Sequence, residues 1–153
     1  MLPELGLAAL ILSLLLALLL GTLPLLGAHR NHAALIATAR PLAYGQLLLL
    51  GVAYALLTYA FLVHDFSVKY VATNSNSLLP QIYQVPAVWG AHEGSLLLWV
   101  LILAIWTAAV ALFSRSLPGV VLARVLAVMG WISVGFLAFT IFTSNPFERL
   151  LPA

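Results

Sequence analysis

Four stretches of this chain are each long and apolar enough to cross a bilayer, and lipid permits few backbone conformations. They run from about 5 to 26, 42 to 63, 93 to 113 and 120 to 142, each near the roughly 20 residues a helical span needs. In hydrocarbon every backbone N–H and C=O must be satisfied inside the protein, so a span is either a helix or a strand of a closed barrel. No ten-residue alternating pattern of the barrel type occurs, which leaves helices. The chain is 64% hydrophobic and 7% charged, too little charge to cover a soluble domain of 153 residues. The expected fold is all-α: a polytopic membrane protein, a bundle of four transmembrane helices with one long outward loop, residues 1–153 forming a single unit.

The apolar run at the start is expected to be a mature span, not a cleaved signal. Met1 to Glu4 carry no basic residue, and the run exceeds the 7 to 15 residues of a signal core. Pro24 is expected to kink the last turn of the first span, whereas Pro41, Pro118 and Pro146 punctuate span edges. Orientation follows from the six basic residues. Arg30, Arg40, Arg115 and Arg124 lie on the side of the two short connections, and Lys69 and Arg149 lie on the other, so the short connections are expected to be cytoplasmic. The N-terminus, the 64–92 loop and the C-terminal tail then face outward. Cysteine is absent, which removes disulfides, thiolate metal sites and the C-x-x-C-H haem attachment signature. The net charge of +2 follows the membrane rule without clustering, so no nucleic-acid partner is expected and the lipid bilayer is.

The 64–92 loop is too long and too mixed in polarity to be a simple connection. Tyr70, Tyr83 and Trp89 suit the interfacial layer, "NSNS" at 74–77 reads as a turn, and the loop is expected to lie on the outer membrane face. It ends in "VWGAHEGSLLLW". On a helix of about 100° per residue, His92, Ser95, Trp99, Leu103 and Trp106 fall within about 80° of one another, a stripe not expected to face lipid throughout. Glu93 sits in a first helical turn, where the helix dipole alone accounts for a carboxylate. His92 has three readings: a structural hydrogen bond, a partner or ligand contact, or a metal ligand. A zinc-protease helix is excluded because Leu96 stands where H-E-x-x-H needs its second histidine, and Gly90 and Gly94 lack the spacing and lysine of a phosphate loop. These glycines suit a tight turn and close helix contact. His29 and His32 belong to a solvated turn, His64 and Asp65 form an interfacial pair, and Gly130, Trp131, Ser133 and Gly135 serve helix packing. No histidine or carboxylate falls at a midplane, which argues against a proton pump or ion channel. The candidate residues facing a large ligand or a partner are therefore Trp89, His92, Glu93, Ser95 and Trp99, with no catalytic residue assigned. No metal ligand is assigned either, His64 and His92 being remote candidates for haem iron.

"PELG", "ARPLAYGQ", "FSVKYVATNSNSLLPQIY", "VWGAHEGSLLLW" and "FTSNPFERLLP", taken in order, resemble the N-terminal part of the CcmF family, the haem lyases of bacterial cytochrome c maturation. The resemblance implies a bacterial inner-membrane protein that receives haem from the periplasmic haem chaperone CcmE. With a CcmH-type subunit it attaches that haem to apocytochrome c. Family members are several times longer, and their tryptophan-rich haem segment and haem-ligating histidines match no position here. The chain is thus expected to be the N-terminal part of a longer protein, to need the missing C-terminal portion as a partner, and not to hold haem stoichiometrically alone. A docking subunit of another redox or transport complex and an inactive fragment are the alternatives.

Overall fold

The computed structural model describes residues 2–30, 32–63, 65–74, 80–90, 92–114, 116, 118–143 and 145–148. Among these, α1 (Leu2–Arg30), α3 (Ala39–Leu62), α6 (His92–Phe113) and α7 (Gly119–Phe142) are long, and α2 (Ala33–Ala37), α4 (Lys69–Asn74) and α5 (Gln81–Ala87) are short. The four long helices are also the four that length and apolarity suit to a membrane, as the sequence predicts. They form a ring in which α1 packs broadly on both α3 and α7, α6 joins α3, and the α6–α7 seam is the thinnest. Chain alternation puts the start of α1 beside the end of α7. The bundle therefore has a cap end, carrying α4 and α5, and an opposite end where the arginines gather.

The main departure in the spans is α1, which extends past the predicted 5–26 in both directions. Pro24 lies inside it, and the helix continues to Arg30. Proline removes one backbone donor and crowds the preceding turn. One residue from the Leu20 carbonyl that this proline leaves without an amide donor, the Trp131 Nε1–H of α7 donates to the Gly21 carbonyl at 2.8 Å and ties the two helices together. Elsewhere four threonines close on their own helices. Thr22, Thr58, Thr107 and Thr140 donate to carbonyls four residues back at 2.7–3.0 Å.

The α1–α7 contact depends on missing side chains. A Cβ on Gly130 would stand 3.0 Å from the Gly21 nitrogen and 3.2 Å from the Ala17 oxygen, both backbone atoms that cannot give way cheaply. The two helices therefore approach as closely as their backbones allow, the small-residue packing common in membranes. Ser133 is buried on the same helix, while Gly135 faces open space, so only part of the predicted packing set packs within this bundle. Gly130→Leu is expected to lower unfolding stability in detergent by about 1–3 kcal/mol, the range for an overpacked core. Gly135→Leu is expected to change it by no more than about 0.5 kcal/mol, as at an exposed position. Equal melting curves for the two variants would contradict this account of the seam.

Candidate functional site

At the cap end the chain leaves α3 through a turn built by Asp65. Its N–H donates to the Ala60 carbonyl at 2.9 Å, and its carboxylate accepts from the Ser67 N–H at 3.2 Å and from the Ser67 hydroxyl. Asp65 thus organises its own loop, and its expected partner His64 lies outside the described residues. The following Val68, Tyr70 and Val71 are buried. Backbone pairing holds them there, with the Lys69 N–H donating to the Glu148 carbonyl of the tail after α7 at 2.8 Å. The tail has its own tight turn, in which Asn145 Oδ1 accepts from the Phe147 N–H at 2.9 Å. The Phe147 ring then lies on α1 at Gly6, where a Cβ would fall inside the ring's van der Waals surface. The "PELG" and "SNPF" segments, nearly the whole chain apart in sequence, meet here.

Tyr70 joins these pieces to α6. Its ring meets Phe61 edge-on at 5.5 Å and 73°, and its hydroxyl donates to the Val88 carbonyl at 2.8 Å. That carbonyl presses on Gly94, where any Cβ would collide with it outright. One turn of α6 is therefore glycine because the end of the long loop crosses directly over it. Ser95 completes the clasp, its hydroxyl donating to the Trp89 carbonyl at 3.1 Å. In "WGAHEGS", Gly94 and Ser95 thus hold the loop against the helix, whereas Gly90 has only ordinary contacts and needs no special space. The long loop does not simply lie on the membrane face: α4 folds in over the helix ends because Tyr70 and Val71 find apolar cover there. Asn74 ends α4 by donating to the Tyr70 carbonyl at 3.0 Å, and the rest of the "NSNS" turn lies outside the described residues.

Around this clasp stand the candidates. His92 opens α6, and its side chain lies outside the described part of the structure. Glu93 is half-buried in the first turn and shares a small cleft of about 60 Å³ with Lys69, Tyr70, Thr73, Asn145 and Glu148. The cleft is polar and water-sized, with no room for a macrocycle. Trp89 is exposed beside it, and Trp99 and Trp106, at 63% and 64% exposure, stand on the outside of the bundle. The stripe thus continues from the Trp89 carbonyl through Ser95 down α6, facing away from its own bundle. No group of three or more histidine, cysteine or acidic side chains among the described residues could hold a metal. His32 is occupied otherwise, its Nδ1 accepting from the Leu35 N–H at 3.4 Å at the start of α2.

A clasped loop above an aromatic membrane face defines a multi-pass α-helical membrane segment with one elaborated end. No family model matches the chain. It is 64% identical to the cytochrome c-type biogenesis protein CcmF of Pseudomonas aeruginosa and 53% identical to CcmF of Escherichia coli, each over 152 residues. Those alignments cover 99% of this chain but only 23% and 24% of the relatives. The solved structure of a cytochrome c haem lyase CcmF matches with a TM-score of 0.92 at 32% identity, covering all of this chain and 26% of that one. By sequence and by fold the chain is similar to a portion of CcmF, and it spans about a quarter of the length of the relatives it matches.

Two substitutions test the clasp. Tyr70→Phe leaves the buried Val88 carbonyl without its donor and is expected to cost about 1–3 kcal/mol of local stability. Gly94→Ala is expected to cost a similar amount, roughly 1–3 kcal/mol, by overpacking. Both should speed hydrogen exchange of the loop amides at 65–74 and 87–90 and leave the middle of α1 unchanged; unchanged loop exchange would refute the clasp.

Proposed function

We propose that this chain is a membrane segment of a cytochrome c haem lyase, working as a rigid platform for haem handling. The match of nearly the whole chain to part of CcmF proteins supports this reading, and the exposed α6 face carries it further. An indole N–H has no acceptor among lipid tails, and tryptophan prefers the interface to the acyl core. Trp106 starts a further two turns below Trp99 on α6 and still points out of the bundle. Its natural cover is protein: the remainder of the lyase, docked along Trp99 and Trp106. Above that seam Trp89, His92, Glu93 and Ser95 edge the place where haem, a large apolar macrocycle with two carboxylates, would pass. Aromatic rings offer it a flat apolar contact, and the iron ligands come from the rest of the protein.

In this reading the chain sits in the bacterial inner membrane with the cap and the N-terminus in the periplasm, following the arginine bias. Its partners are the remaining portion of the lyase, the haem chaperone CcmE, a CcmH-type subunit and apocytochrome c. Gly94 and Tyr70 act by holding the rim in place, not by touching haem. Reporter fusions after Asn76 are expected to read periplasmic and fusions after Arg115 cytoplasmic; the reverse pattern would overturn the orientation.

The functional test is made in the full-length protein. Trp99→Ala, Trp106→Ala and His92→Ala are expected to reduce haem-stained cytochrome c several-fold at unchanged lyase abundance. Leu48→Ala, which removes a 68% exposed leucine from α3, is expected to have no effect. Maturation by all three variants at the Leu48→Ala level would remove the α6 face from the function.

A further inference from the structure

The acids of this chain are gathered at one end, with Lys69 among them, and the other end carries basic residues alone. All four of its carboxylates, Glu4, Asp65, Glu93 and Glu148, lie at the cap end. The opposite end carries His29 and Arg30 at the end of α1, Arg40 at the start of α3 and Arg124 in the first turns of α7, with no acid in the chain to balance them. Arg40 is engaged, its Nε–H donating at 2.8 Å to the Ala111 carbonyl near the end of α6, where helix carbonyls lack partners. Arg124 makes no such bond among the described residues. It is exposed at the mouth of a groove of about 570 Å³ between α1 and α7, with His29 beside it.

The groove is chemically graded. Leu25 and Leu26 form an apolar wall, and the Trp131 ring, fixed by its bond to Gly21, closes the far end. Arg124 and Trp131 are seven positions apart on α7, so the groove runs about 10 Å into the membrane from the guanidinium. An apolar trough of that length beneath a planar cation is complementary to one molecule type abundant at this depth. We propose that it binds a single anionic phospholipid, with the phosphate on Arg124 and His29 and an acyl chain lying along Leu25 and Leu26 toward Trp131. Arginine is the suited cation because its fork of donors meets two phosphate oxygens at once. A transmembrane helix from elsewhere in the lyase fits less well, since it would bury the guanidinium and would have to bring its own acid.

Native mass spectrometry of the full-length protein in mild detergent, with added phosphatidylglycerol or phosphatidylcholine, tests this. Phosphatidylglycerol should be retained at one molecule per protein through this site, and Arg124→Gln should weaken its binding roughly fivefold, as expected for one basic residue near an anionic surface. Arg30→Gln, outside the groove, should not. Equal retention of the two lipids, or equal losses in the two variants, would overturn the proposal. A photo-crosslinking residue at position 25 decides the occupant without disturbing the charge, and keeps the test open should Arg124→Gln fail to fold. An adduct of lipid mass supports the site, and a cross-link to another segment of the protein or to a partner protein overturns it.

Discussion

In a bilayer interior a polar group has no water to fall back on, and this single constraint accounts for most of the long-range bonds in the bundle. The threonines turn back on their own helices. The indole of Trp131 crosses to Gly21 in the turn that Pro24 disturbs, and Arg40 crosses to Ala111 at the frayed end of α6. Each bond joins two helices, and the Ala111 carbonyl is one that its own helix leaves without a donor. The α1–α7 seam adds van der Waals contact to this, because Gly130 lets the chains close until backbone meets backbone. Ser13, Gln46, Tyr54 and Ser133 are exceptions: their buried polar atoms have no partner among the described residues, and nothing in the structure explains them.

The spans were legible in the sequence because hydrophobic length is a property of consecutive residues. Tertiary roles were legible only where one residue type has few uses. Gly94 was expected to permit close contact and does, yet what it contacts, the Val88 carbonyl held by Tyr70, could not be foreseen from spacing. Tyr70 reads from sequence as an interfacial aromatic like Tyr83 and Trp89. Of the three it alone is buried, because α4 tucks it against Phe61, and no local pattern distinguishes a ring at an interface from a ring in a cap. Gly6 and Phe147 illustrate the same difficulty at greater distance. A glycine inside an apolar helix is a signal that something packs there, but the ring that does so comes from the other end of the chain.

The two ends of the bundle are built by different chemistry. At the cap, short polar turns around Asp65 and Asn145 bring distant segments into register, and the acids lie where loops can solvate them. At the other end the connections are short and the cations are spent on helix ends or left facing out. The bundle is thus chemically polar along its axis, with the acids at one end and Arg30, Arg40 and Arg124 at the other.

That polarity bears on why the exposed tryptophans stand where they do. The broad faces of α1 meet α3 and α7, while α6 is held mainly through α3 and only thinly by α7. The helix with the least internal packing is therefore the one that displays Trp99 and Trp106, and its upper end is the one fixed by the Tyr70–Val88–Gly94 clasp. Without the clasp α6 would be free to rock about its contact with α3, and a stripe of large rings would have no defined position relative to the cap. With it, the first turns of α6 are set by backbone contact at Gly94 and by the Ser95 bond, and the rings below inherit that placement through the stiffness of the helix. A surface meant to receive another rigid element needs such placement, because two indoles offer close contact to a partner helix only if their spacing and direction are fixed before it docks. In the docking proposed for Trp99 and Trp106, the elaborate loop would thus set the geometry that the bare aromatic face presents.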